Sequence, residues 1–171
     1  ITLGAVMGNK INSIIEQIQN EDIENGFSFW RPTIGDHTSI ALNNLKNPDI
    51  FSTPFNDKSI EQQLRTSFSL LSCSNRKNEV EGTRRTGLAI GKVQSGKTTS
   101  FSLLSALAAD NNFKIVIHLL GTANSLKESN FKDVKKILSI DSNRTEWYPL
   151  EVNSNLNVQA SSLAKMIEDS R

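Results

Sequence analysis

The sequence predicts an α/β fold with a parallel sheet, because a strand, loop, helix and strand follow one another in its second half. Thr86 to Ile90 is a short apolar run bounded by glycines, which is typical of a buried strand. Thr98 to Asp110 carries apolar residues at helical spacing, and Lys114 to Leu120 (KIVIHLL) is rich in β-branched residues. Two parallel strands joined by a helix form a βαβ unit with a right-handed crossover.

The first half predicts a helical N-terminal extension over residues 1–83. Isoleucines at helical spacing predict an amphipathic helix over residues 9–20. Residues 26–56 contain three prolines and predict an irregular segment with a short helix after Asp36. Ser59 with Gln62 forms a capping-box pattern, which predicts a helix start there.

An apolar stripe carries that helix to about Ser72, through Ile60, Leu64, Phe68 and Leu71. A polar, charged stretch then leads to a second unit, residues 84–171. Beyond the βαβ unit, we expect a helix over Ser125 to Leu138, a third strand over Trp147 to Val152 and a last helix over Ala160 to Asp169.

Composition limits the class of protein. The chain has 171 residues, 37% of them hydrophobic, and a formal net charge of +1, which is too small to indicate nucleic-acid binding by itself. Cys73 is the single cysteine and there are two histidines, so a disulfide framework or a structural zinc site is not expected. No apolar run is long enough for a membrane helix, and we expect a cytoplasmic protein. Because Ile1 stands where Met would begin a chain, we expect a processed product or part of a longer protein.

The stretch from Gly91 to Thr98 (GKVQSGKT) matches the phosphate-binding pattern G-x-x-x-x-G-K-[ST] at every required position. Gly91 and Gly96 allow the tight, partly left-handed backbone that turns amide groups inward around an anion. Lys97 is the expected catalytic cation on the β- and γ-phosphates of ATP, and the Thr98 hydroxyl is the expected Mg²⁺ ligand. The predicted nucleotide-binding residues are Gly91, Val93, Gln94, Ser95, Gly96, Lys97, Thr98 and Thr99.

Simpler interpretations exist for parts of this loop. A glycine-bearing turn that merely begins a helix would have the same glycines. Lys92 fits a solvated loop side chain better than a phosphate contact, and Gln94 would contribute mainly its backbone.

The string from Arg85 to Thr98 (RTGLAIGKVQSGKT) resembles the phosphate loop of bacterial helicase-like proteins that pair a superfamily-two motor with the domain called Z-one. A second patch, Gly121 to Leu126 (GTANSL), is similar to the family's Gly-Thr-x-Asn-x-Leu pattern. Trp147-Tyr148-Pro149-Leu150 is a weaker match to its aromatic-Pro-Leu stretch. The resemblance covers roughly residues 84–150.

This resemblance implies a partial RecA-like P-loop NTPase core and a DNA-dependent ATPase of a restriction or phage-defence system, with a nuclease domain or subunit as a possible partner. It also implies that Thr122, Asn124 and Lys127 contact nucleic acid, although Asn124 beside a helix start is equally a helix cap. The chain departs from the family at Thr99-Ser100-Phe101, where the family has Ala-Asn-Tyr or similar. The acidic pair that a hydrolysing motor needs is also missing, and Asp141 is a poor candidate for it. We therefore expect the first part of a motor, which binds ATP and hydrolyses it slowly or not at all.

Two other functions fit the loop. A small-molecule or nucleotide kinase shares it, but the scattered arginines here form no evident lid; phosphoryl transfer without DNA stimulation would identify such an enzyme. A non-catalytic assembly domain would bind nucleotide without turnover. Elsewhere, His118 is expected to be a packing residue, Cys73 to be inert, and Trp30 and Trp147 to be packing anchors rather than stacking platforms for a base.

Overall fold

A computed structural model describes residues 32–73, 96–118 and 124–140, with the backbone only for residues 124–127, together with single positions near both ends of the chain. Four helices account for most of this part: α1 (Asp36–Lys46), α2 (Asp57–Ser72), α3 (Lys97–Asp110) and α4 (Asn124–Leu138). The predictions for α3 and α4 are confirmed to within one residue at each end.

Helix α3 lies at the centre and packs against the other three helices. Its sequence, KTTSFSLLSALAAD, has small or apolar residues on every side, as expected for a helix surrounded by neighbours. Ser102 and Ser105 are buried, and each donates a hydrogen bond to the carbonyl oxygen four residues earlier, at 2.8 and 2.7 Å. The buried hydroxyls are thereby satisfied within the helix itself.

The core has two clusters. The larger one joins all four helices around Leu42, Leu45 and Leu103, which are at most 1% exposed. The smaller one joins α2 and α3 through Phe68 and Leu107. Helices α1 and α2 therefore share one core with α3 and α4.

The carboxylate of Asp110, the last residue of α3, lies over the start of α1. It accepts hydrogen bonds from the backbone N–H groups of Gly35 and Thr38, each at 2.9 Å, and from that of His37, at 3.0 Å. Gly35, the residue before α1, has no side chain to cap the helix. Asp110 thus supplies from another helix the acceptor that helix starts require. The short helix expected after Asp36 is confirmed and runs to Lys46.

The start of α2 differs from the capping-box prediction at Ser59. The helix begins at Asp57, and its N-cap is Asn56, three residues before Ser59; the side chain of Asn56 accepts the hydrogen bond of the Ser59 N–H at 2.8 Å. Asparagine is among the best N-cap residues, and Asp57 adds an acidic group in the first turn, so this start is favoured over one capped by Ser59.

The α/β prediction is wrong: the described part of the chain is all-α, four packed helices without a strand. Residues 114–118 of the predicted strand Lys114–Leu120 are non-helical and pair with no other segment among the described residues. Phe113 and Val116 pack against the smaller cluster, whereas Ile115 and Ile117 are 46% and 76% exposed. A β-strand requires a hydrogen-bonded neighbour, and β-branched residues by themselves do not supply one. The partial RecA-like core that the resemblance implies therefore has no sheet in this part of the chain.

Other predictions fall at the edges of the described residues. Trp147 packs against the larger cluster, as predicted for an anchor, but neither it nor Pro149 is in a strand. Ser13, Glu16 and Asn20 are helical, as are four positions of the predicted last helix, namely Ser161, Ala164, Lys165 and Glu168. The first strand, Thr86–Ile90, and the boundary at residue 83 lie outside the described residues. Among the helices that are described, none is long and apolar enough to cross a membrane.

Candidate functional site

The described end of the predicted phosphate loop has the backbone that the motif calls for. Gly96 has φ +77° and ψ +27°, in the left-handed region, and α3 begins at the next residue, Lys97. The side chain of Lys97 is exposed. Gly96 cannot offer a side-chain cap, so the start of α3 presents backbone donors that have no acceptor within the helix. Gly91, Val93, Gln94 and Ser95 lie outside the described residues.

Gln63 of α2 lies against this turn. Its side-chain nitrogen is 2.9 Å from the position that a Cβ atom on Gly96 would take. Its side-chain oxygen accepts a hydrogen bond from the hydroxyl of Ser100, one turn into α3. Gln63 is 9% exposed, so this polar side chain is buried between the two helices. The turn at Gly96 is therefore packed so closely that only glycine fits without displacement.

Thr98, the expected metal ligand, contacts α4. Its hydroxyl donates a hydrogen bond of 2.9 Å to Oδ1 of Asn130. A threonine hydroxyl has one hydrogen and two lone pairs, so the oxygen can still coordinate a cation while its hydrogen is held by Asn130. Thr99 is 4% exposed and faces the interior.

A cavity of about 300 Å³ adjoins the start of α3. Oxygen-bearing side chains supply its polar lining: Ser52, Thr53, Thr98, Thr99 and Asp133. Two phenylalanines and an isoleucine complete it. Hydroxyl and carboxylate oxygens are the donors that hard cations such as Mg²⁺ prefer. In the part of the chain that the structure describes, no cluster of three or more His, Cys, Asp or Glu could hold a metal ion, so the protein oxygens here would form only part of a coordination shell.

The structure does not bring the predicted nucleic-acid residues to a described site. Thr122 lies outside the described residues. Asn124 and Lys127 are in the first turn of α4, where the structure describes the backbone but not the side chains. Asp141, the weak candidate for a catalytic acid, is likewise not among the described residues.

His118 and Ser105 lie as close together as a catalytic histidine and serine, but the hydrogen of the Ser105 hydroxyl does not point to His118. The Ser105 hydroxyl lies 3.0 Å from Nε2 of His118 and donates its single hydrogen to the carbonyl oxygen of Phe101 at 2.7 Å. With that hydrogen directed to Phe101, the Ser105 hydroxyl presents no proton to Nε2, as a catalytic serine would. The ring also packs against that of Phe101, with centroids 5.1 Å apart. His118 is a packing residue, as predicted.

Burial lowers the pKa of the His118 imidazole below its usual value. The unfolded chain therefore binds a proton more readily than the folded chain, and the free energy of unfolding should fall as the pH drops through about 6.5 and level off below the folded-state pKa. Urea unfolding at several pH values between about 5 and 7.5 would measure this slope. His118→Gln should reduce the slope, and equal slopes in the two proteins would contradict the prediction.

Sequence reasoning missed Gln63, Asn130 and Asp133. A signal for two of them was present, because polar residues occupy positions that continue an apolar helical face. Gln63 follows Ile60 by three residues, and Asn130 precedes Val134 by four, so each lies on the buried side of its helix. A polar residue in such a stripe needs a buried partner, which the sequence alone does not name.

Comparison with known proteins adds no assignment: no family model, curated protein or solved structure matches the chain.

Proposed function

We propose that this chain binds a nucleoside triphosphate, ATP in the first instance, together with Mg²⁺ at the start of α3. The observation that carries the proposal is the complete G-x-x-x-x-G-K-T pattern from Gly91 to Thr98 joined to a left-handed Gly96 at a helix start. The motif needs a glycine backbone followed at once by a helix, so that amide donors and the positive end of the helix dipole face the phosphates.

The residues around Thr98 fit a Mg²⁺-bound nucleotide better than a bare polyphosphate. Asp133 lines the same cavity as Thr98, and its carboxylate would repel phosphate oxygens in the absence of a cation. A Mg²⁺ ion removes that repulsion and accepts the Thr98 hydroxyl as a ligand. Lys97, exposed at the first position of α3, would extend its ammonium group to the terminal phosphates.

We further propose that the nucleotide serves a helicase-like, DNA-dependent ATPase of a restriction or defence system in the cytoplasm. Support for this finer assignment comes from the resemblance over Arg85–Thr98 and Gly121–Leu126. The all-α arrangement of the described residues does not add to it. The nucleotide-binding proposal is independent of it, because it depends only on the loop and on the start of α3.

Isothermal titration of the chain with ATP and Mg²⁺ tests the nucleotide proposal. We expect Lys97→Ala to weaken binding at least about tenfold, because one charge-assisted contact to phosphate is worth about 1.5–3 kcal/mol. Lys58→Ala is the matched control: Lys58 is also an exposed lysine in the first turn of a helix, α2, and its loss should leave the affinity unchanged.

The nucleotide proposal fails if the unaltered chain shows no binding at millimolar ATP and Mg²⁺. It fails equally if Lys97→Ala binds as tightly as the Lys58→Ala control. Circular dichroism of each variant establishes that the helices are retained.

A further inference from the structure

We propose that Asn130 is a positioning residue of the nucleotide site, which orients the Thr98 hydroxyl so that its lone pairs face the metal ion. This inference rests on the proposed function above. It assigns to α4 a role in Mg²⁺ binding, although α4 is not part of the loop motif.

The geometry of the Thr98–Asn130 contact carries the inference. Thr98 is in the first turn of α3, and its hydroxyl hydrogen points to Oδ1 of Asn130 at 2.9 Å. The alternative acceptor for a hydroxyl in a helix is the carbonyl oxygen four residues earlier, which Ser102 and Ser105 use in this same helix. Thr98 donates to Asn130 on another helix, so the direction of its lone pairs is set by Asn130.

The position of Asn130 on α4 places this acceptor close to the cavity. Asn130 is half-buried and lies one turn before Asp133, which lines the cavity beside Thr98. The hydrogen bond therefore fixes the hydroxyl next to the cavity that holds the carboxylate. A hydroxyl that rotates freely would have to be ordered when the cation binds, at a cost in affinity.

The role predicts an effect on Mg²⁺ and not on the nucleotide alone. The contribution of Mg²⁺ to ATP affinity is measured as the ratio of the dissociation constants in EDTA and in Mg²⁺. We expect Asn130→Ala and Asn130→Leu to reduce this ratio about three- to tenfold, with the affinity in EDTA unchanged. The leucine variant keeps the side-chain volume, so that packing of α4 on α3 is preserved.

Two further variants separate positioning from structure. Asn130→Asp keeps an acceptor for the Thr98 hydroxyl but removes the amide donor, and it should restore the ratio to at least that of the unaltered chain. Asn43→Ala, at an exposed asparagine in the middle of α1, is the matched control and should leave the ratio unchanged.

A double-mutant cycle gives a readout that needs no nucleotide. In thermal unfolding of the ligand-free chain, Thr98→Val and Asn130→Leu should be non-additive, because each removes the same hydrogen bond.

The outcomes are distinct. Four results would overturn the role of Asn130 while the nucleotide proposal stands. The first two are a loss of ATP affinity that is equal in EDTA and in Mg²⁺, and an unchanged ratio in both the alanine and the leucine variants. The other two are failure of Asn130→Asp to restore the ratio, and additive effects on unfolding. Absence of ATP binding by the unaltered chain would overturn both.

Discussion

Replacement of Asp110 by alanine is expected to lower the free energy of unfolding by about 2–4 kcal/mol. The Asp110 carboxylate accepts three hydrogen bonds from backbone N–H groups at the start of α1, at 2.9–3.0 Å. Hydrogen bonds to a charged acceptor are the stronger ones, and the donors that lose it sit at the positive end of a helix dipole. Gly35 cannot replace the lost cap with a side chain of its own.

Urea denaturation followed by far-ultraviolet circular dichroism measures the effect of Asp110→Ala. Asp110→Asn keeps one acceptor oxygen without the charge and should give an intermediate loss. Asp49→Ala, which removes an exposed carboxylate in a turn, is the control and should change the stability by less than about 0.5 kcal/mol. A loss for Asp110→Ala no larger than that of the control would contradict the expected contribution.

The sequence predicted the helices well where a start signal and an apolar pattern occur together. Helix α3 follows a glycine and has apolar residues over three turns, and its observed bounds, Lys97–Asp110, differ by one residue from those expected. Helix α1 was expected only as a short piece in an irregular segment. Its cap, Asp110, lies 72–75 residues away in the sequence, so no local pattern reveals it.

The strand prediction failed for a related reason. The run KIVIHLL has the residue types of a strand, but a strand is defined by a neighbour to which it is hydrogen-bonded. Val116 packs on the helices while Ile117 is 76% exposed, which is an alternation that a non-helical segment lying on a helical core also produces. The pattern of residues is the same in both cases, and only the presence of a partner distinguishes them.

In the candidate site too, the features encoded by neighbouring residues were predicted and the contacts between distant residues were not. The motif located the turn at Gly96 and the helix start at Lys97, because both are encoded within eight residues. The side chains that hold this turn, Gln63 and Asn130, are 37 and 32 residues from the hydroxyls they contact. Sequence patterns of helical spacing show that each belongs to a buried face but cannot show which loop it meets.

Replacement of Gly96 by alanine is expected to weaken ATP binding at least about tenfold and also to destabilise the fold, because its backbone is left-handed. A residue with a Cβ atom held at φ +77° costs about 1–3 kcal/mol. The new Cβ atom would also lie 2.9 Å from the side-chain nitrogen of Gln63, so the end of that side chain would have to move. The chain can relieve both by changing the turn, and the amide groups at the start of α3 then no longer converge on the phosphates.

A second variant divides the Gly96→Ala effect into its two causes. Gln63→Ala in the Gly96→Ala background removes the steric contact, together with the hydrogen bond from Ser100, but leaves the left-handed backbone. The double variant should therefore be less destabilised than the sum of the two single changes, whereas ATP binding should recover little, because the turn remains unfavourable for alanine. Calorimetric titration and urea unfolding of the single and double variants measure the two quantities separately. Full recovery of binding in the double variant would show that the contact with Gln63, and not the backbone conformation of Gly96, is what reserves this position for glycine.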